Sequence, residues 1–388
     1  MPLDASSLAA RRFRAGSLFD LVVFDRLPHA EQAPLAELRA DPDFYGVLRP
    51  RPGSGRTVKV AGRDVALLFL TLGTPGPLPF FVWGEDPEDA AREVLDLVLD
   101  GVLEMEEEGA FVCGSAALRL AAPGASGPSG RIGRLSQEAL RHVEALALDD
   151  PNEIAGRLYG YGRLPVSPDW ERRLPDAAAV LAFVGAAPGG PVARQLEAGW
   201  DRGPAGKSPG WIAWSPRAAH DRAGGRAVHK LYVSPQPESL PQAFAALVDV
   251  LARRGHRPFK VGDAAPGVLR PDKLVAYFAD VEELQAAAQE LAERLPGLAA
   301  HGVPFSAEAG GDGLLSWGMD PPASERAVAW QEPESWRLWL ARRLAAALLA
   351  ARRDGSDLPP HRFAVERLRR EGVDVDRWTP GAAMWRVA

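Results

Sequence analysis

From about residue 226 onward the apolar positions follow two alternating periods. "VHKLYVS", "RPFKVG", "KLVAYF" and "GLLSWGM" are short β-rich runs punctuated by Gly, Pro and Asp, the signature of strands. Two longer runs separate them with helical spacing. In "LPQAFAALVDVLARR", Leu240, Phe244, Leu247, Val248 and Leu251 share one face. Ser239 and Gln242 predict a capping box before it, and Gly255 a stop after it. "VEELQAAAQELAERL" repeats the amphipathic pattern. The order β-α-β-β-α-β is that of a split βαβ, ferredoxin-like layer. It predicts that strands near 228–234, 257–262, 273–278 and 313–318 share one sheet, with the first two parallel and flanking the third. Helices in "PESWRLWLARRLAAALLAARR" and "PPHRFAVERLRREG" are expected to cover one face.

Upstream the pattern changes. In residues 1–125, "TVKVAGRDVALLFLTLG" and "LPFFVWG" read as β-rich runs of a meander. "DPEDAAREVLDLVLDGV" reads as a helix capped by Asp86, and "LEMEEEGAFVCG" as a hairpin. This stretch is expected to be an independent α+β module, joined by the Gly/Pro/Ser-rich linker 121–132. The middle segment, 134–225, opens helically with "SQEALRHVEALAL" and "DPNEIAGRLYGYG" and then turns Pro/Gly/Trp-rich. The fold class is therefore α+β: a C-terminal split βαβ (ferredoxin-like) layer with added helices (226–388), a helical middle segment and a small N-terminal domain.

Composition narrows the classes. With 46% apolar and 25% charged residues, the chain is an ordinary globular protein. A single cysteine, Cys113, excludes an internal disulfide and fits a reducing cytoplasm. No apolar run reaches membrane-spanning length. The net charge is −6, yet residues 201–273 hold twelve Lys/Arg against six Asp/Glu. A negative protein with one basic segment suits a small anion better than nucleic acid. "AGKS" at 205–208 imitates the end of a phosphate loop, but Asp201 stands where the loop's first glycine belongs.

Lysine is rare, five against forty arginines, and four of the five (Lys207, Lys230, Lys260, Lys273) lie in that basic segment. Arginine cannot shed its proton in a protein, whereas a desolvated or crowded lysine can. Lys230 falls on the first strand of the layer, Lys260 on the second, and Lys273 opens the third. Strand alternation puts His229 and Lys230 on opposite faces, so only one can share a face with Lys260. His220, Arg222, Arg226 and Arg270 lie nearby in sequence. The competing reading is that these lysines guard sheet edges against aggregation. His256 reads as a turn residue, and the tryptophans, Trp211 among them, as packing.

The run from "VHKLYVSPQPESLPQAF" to "PDKLVAYF" resembles the core of the phosphothreonine lyase domains of lanthionine synthetases. "HGVPFSAEAGGDGLLSWGMDPP", "ESWRLWLARRLAAALLAA" and "FAVERLRREGVDVDRWTP" are similar to the HopA-type effector family, whose relatives in lanthipeptide and thioamitide biosynthesis are proposed lyases. The likeness covers about residues 150 to 380 and leaves residues 1–125 unexplained. It implies β-elimination of phosphate from a phosphorylated Ser or Thr of a ribosomal precursor peptide, with a kinase-like protein as partner.

Such a carbon–oxygen lyase needs a base for a weakly acidic C–H, an acid for the leaving oxygen and a clamp for a dianion. Lys260 or Lys230 is expected as base and His229 or His220 as acid. Arg222, Arg226, Arg270, Lys273 and Lys207 are the phosphate-binding candidates. No metal and no cofactor is expected, since the sequence offers no Cys/His ligand set. The alternative from another class is a non-catalytic escort that presents the peptide to a modifying enzyme by adding it as an edge strand. A nucleotide or phospho-metabolite enzyme is disfavoured by the failed phosphate loop.

Overall fold

The computed structural model describes residues 5–84, 86–118, 129–204, 209–217, 228–322, 331, 333–355, 357–381 and 384–385. His220, Arg222, Arg226, Lys207, the "AGKS" run and most of the 121–132 linker lie outside the described residues. The fold is mixed α+β.

Its centre is a seven-stranded sheet. In spatial order the strands are Ala307–Ala309, Leu315–Met319, His229–Val233, Leu274–Phe278, Phe259–Gly262, Trp211–Pro216 and Trp200–Arg202. Every neighbouring pair is antiparallel. The four strands expected from sequence sit together in the order fourth, first, third, second, as a ferredoxin-like layer requires. The first and second are therefore parallel and flank the third. Three further strands extend the edges. The sequence reading missed Trp211–Pro216 because Pro and Gly flank it, yet its alternation is regular: Ile212 and Trp214 are buried in the core while Trp211 and Ala213 point the other way.

One face of the sheet is sealed by the helices Leu240–Arg253 and Val281–Arg294. Leu231, Val233, Phe259, Val261, Ala276 and Phe278 meet Phe244, Leu247, Leu251, Leu284 and Leu291 there. Fully burying one such side chain stabilises by about 1.5–3 kcal/mol. Asp280 caps the second helix, accepting from the Glu282 and Glu283 amides. The capping box expected at Ser239 does not form: Pro237–Ser239 is a 3-10 turn running into the helix, and the Ser239 side chain makes no cap bond. Gly255, at φ 101°, does end that helix.

A second core joins helices Gly130–Ala145, Pro151–Tyr159, Trp336–Asp354 and Pro360–Arg370. The C-terminal helices also reach into the N-terminal region. Ala350, Ala351 and Phe363 share a core with Phe13, Leu68, Val94 and Leu103. Arg56 pairs with Asp354 at 2.7 Å, and Arg367 with Asp96 and Asp100 at 2.9 Å. The expected independence of the N-terminal module is thus not what the packing shows. Within it, helix Pro87–Leu99 and the hairpin Leu103–Glu107/Ala110–Val112 follow the sequence reading. The meander does not. Only Lys59–Gly62 of its first run is a strand; Arg63–Thr71 is a helix and Phe80–Trp83 a 3-10 turn. Leu and Ala favour the helix, and Val65, Leu68, Phe69 and Leu72 recur at the spacing that buries one face.

Candidate active site

Strand alternation gives the other face of the central sheet a different composition. Pointing away from the sealed core are Trp211, Lys260, Val275, Tyr277, Lys230 and Tyr232, from four adjacent strands. Cross-strand register aligns Lys260 with Val275, Val275 with Tyr232, and Tyr277 with Lys230. Tyr232, Val275 and Val303 form a small buried apolar floor, rimmed by Trp211 and Tyr277.

Lys260 lies over this floor. Its Nζ is 4.2 Å from the ring centre of Trp211 and 5.5 Å from that of Tyr277. Among the described residues its ammonium has no ion pair and no hydrogen bond. Burial pushes the amine down to about 8, and the charge of Lys230 pushes it the same way. Lys230 is differently placed. Its Nζ lies 2.5 Å from Asp320 Oδ2 and 5.7 Å from the Tyr277 ring centre. Asp320 is itself held by the Trp336 amide, which donates to Oδ1 at 3.0 Å. Lys230 thus has a carboxylate partner, while Lys260 has none within ion-pair distance among the described residues.

Arg270 borders the same floor, its guanidinium 4.9 Å from the Trp211 ring centre. Both of its bonds to buried Asp272 are 2.8 Å long, in bidentate geometry. Asp272 also accepts from Arg337 Nη1 at 3.1 Å. Burial alone would raise this carboxyl, but Arg337 and Arg270 together hold it well below the usual range. Arg337 is committed further, donating to the carbonyls of Pro304 and Tyr159 at 3.0 and 2.8 Å.

Behind this wall Lys273 is fully buried. Its Nζ donates to the Pro235 carbonyl at 2.8 Å and meets His301 Nδ1 at 2.9 Å. His301 Nε2 stands 2.5 Å from the Gly162 carbonyl. The donor count closes if Nε2–H donates to Gly162 and Nδ1 accepts from Lys273. Burial lowers Lys273 to about 7. Burial, then the Lys273 charge, lowers His301 to about 4.

Of the residues expected from sequence, Lys260, Lys230 and Arg270 converge on one face. His229 does not. It lies on the opposite face, its ring centre 6.2 Å from that of Trp317, because adjacent strand residues alternate. Lys273 is not at the surface either; its amine serves the interior. His256 is no simple turn residue, packing at 4.6 Å between ring centres on Trp200. Sequence reasoning gave no site role to Trp211, Tyr159, Tyr232, Tyr277, Asp272, Asp320, His301 or Arg337, having set Trp211 aside as packing. Tyr232 and Tyr277 carried a usable signal, namely their even spacing from Lys230 and from Val275 within their strands.

Among the described residues no group of three or more His, Cys, Asp or Glu side chains is placed to hold a metal, and no helix is long and apolar enough to cross a membrane.

No family model and no curated protein matches the sequence. Several solved structures do. An effector protein from Pseudomonas syringae pathovar tomato is 14% identical, covering 63% of this chain and 95% of its own, with a TM-score of 0.40. An effector from pathovar syringae is 13% identical over 65% of this chain and 98% of its own, at 0.41. The phosphothreonine lyase SpvC, an effector from Salmonella, is 17% identical over 47% of this chain and 90% of its own, at 0.28. At these scores the likeness carries no argument about chemistry, and what this chain can do rests on its own residues.

Proposed function

We propose that the chain is a lyase that eliminates phosphate from a phosphorylated Ser or Thr side chain of a peptide, with Lys260 as the base. The observation that carries this reading is the state of Lys260: an amine without an ion partner among the described residues, desolvated, and beside a second lysine that is ion-paired to Asp320. Such an amine can take a Cα proton near neutral pH, which an ordinary lysine cannot. Lys230 and Arg270 flank it as fixed positive charges for the phosphate dianion. The substrate is a precursor peptide in natural-product biosynthesis in the cytoplasm, phosphorylated beforehand by a kinase-like partner.

The test is Lys260→Arg, which keeps the charge and puts the neutral form out of reach. Incubated with a synthetic phosphothreonine peptide, the wild type should remove the mass of phosphoric acid. The variant should lose about a hundred- to ten-thousand-fold in rate while binding within a few fold. A wild type that binds without eliminating supports the escort role instead.

One observation favours a peptide-docking role for the N-terminal region. Six of the seven large apolar side chains exposed among the described residues are Val58, Val60, Leu67, Leu70, Phe80 and Phe81. Val60 lies on Lys59–Gly62, an edge strand of its sheet, to which an extended peptide could add. Val60→Asp should weaken peptide affinity and leave turnover at saturation intact. Unchanged affinity would remove this role.

A further inference from the structure

Elimination also needs a proton for the departing oxygen; of the two histidines expected to supply it, His229 is on the other side of the sheet and His220 lies outside the described residues. We propose that Tyr232 is the proton donor to the leaving oxygen, an inference that rests on the lyase reading.

Three observations carry it. First, Tyr232 shares a cross-strand row with Lys260: Val275 is the partner of both. With strands about 4.8 Å apart, the two backbones are roughly 10 Å from each other. Two side chains on one face at that span can hold the Cα–Cβ–O unit of a substrate residue between them. Second, Tyr232 is buried, at 3% exposure; burial is the chief influence on its hydroxyl, followed by Arg337, Asp320, Tyr159 and Asp272. The side chain itself packs with Val275 and Val303 on the floor over which Lys260 lies. Its hydroxyl has no hydrogen-bond partner among the described residues. A partnerless phenol on the floor that Lys260 overlies is placed for a ligand atom. Third, the other cationic donors are committed: Lys230 to Asp320, Arg270 to Asp272, Lys273 to Pro235 and His301.

The step balances without a further reagent. The Lys260 lone pair takes the Cα proton, and the C–H electrons become the Cα=Cβ bond. The Cβ–O bond breaks with its pair going to oxygen, which receives the Tyr232 proton and departs as hydrogen phosphate. Phosphate expelled as a trianion is basic enough to take a phenol proton. The Lys260 ammonium then returns its proton to the phenolate, directly or through water. Because burial keeps the phenol protonated, the donor is loaded throughout the working pH range.

The experiment uses the full chain and a phosphothreonine peptide. Tyr232→Phe should lose at least about a hundredfold in kcat, with peptide Kd held within threefold. Tyr277→Phe, in the row of Lys230, should lose less than tenfold. Replacing Tyr232 by 3-fluorotyrosine keeps the shape and makes the phenol more acidic, so kcat should rise. If Tyr232→Phe does not fold, the fluorotyrosine protein decides alone. An active wild type with Tyr232→Phe within tenfold of it, or a kcat unmoved by fluorination, overturns the donor role and spares the lyase reading. A wild type that does not eliminate phosphate overturns both.

Discussion

If Lys230 is what tips Lys260 toward neutrality beyond burial, deleting its charge must move the base limb of the pH profile in a stated direction. Lys260 titrates at about 8, so about a tenth of it is neutral at pH 7. An ordinary lysine at about 10.4 would be neutral there to only about one part in 2,500. The two ammonium groups lie 5.5 and 5.7 Å from one ring centre, so they are at most about 11 Å apart. At an effective dielectric of about 20, two unit charges at that distance repel by about 1.5 kcal/mol, roughly one pKa unit. Lys230→Met should therefore shift the acidic limb of kcat from about 8 toward about 9 at low salt. At physiological ionic strength the shift should shrink, because the Debye length of about 8 Å is shorter than the separation. Asp320, left without its lysine, adds to the shift in the same direction, since it raises Lys260. The double variant Lys230→Met/Asp320→Asn removes that contribution and should shift less. The profile is read from phosphopeptide dehydration at saturating substrate, where lost phosphate affinity does not enter. The pH dependence of Lys260 acetylation, followed by mass spectrometry, gives the same midpoint without turnover. A limb that stays put, or moves to lower pH, refutes the pairing of the two lysines.

Other consequences follow from the buried ion network. Asp272→Asn leaves Arg270 and Arg337 facing a neutral amide, and removing one partner of a buried pair costs about 3–5 kcal/mol; a change below about 1 kcal/mol in chemical denaturation would show the network to be dispensable. Lys273 is held at about 7 in the fold and returns to about 10.4 when unfolded. Between those values the unfolded chain binds the extra proton, so stability is fully present above about 10 and is lost as pH falls toward 7, by about 1.4 kcal/mol per unit. Lys273→Met should flatten that slope, and parallel stability curves for the two proteins would contradict the assignment.

Much of the fold was legible because periodicity encodes which face of an element is buried. The helices Leu240–Arg253 and Val281–Arg294 and the four central strands follow from spacing alone. Where the pattern was ambiguous the reading failed. "RDVALLFLT" is as apolar as a buried strand, and only packing against two cores decided for helix. The site shows the same division. The scarcity of lysine drew attention to Lys230 and Lys260, and alternation showed that His229 and Lys230 must part. It could not say which of the two accompanies Lys260, since that depends on which face the helices seal. Trp211, Asp272, Asp320 and Tyr232 acquire meaning only from neighbours distant in sequence: Arg337 reaches Asp272 from a different helix, and Tyr232 meets the Lys260 row across Val275. Periodicity is a local property that any single segment carries. Desolvation and charge pairing are properties of assembled neighbours, and it was the tertiary structure that gave one lysine a carboxylate partner and left the other desolvated without one.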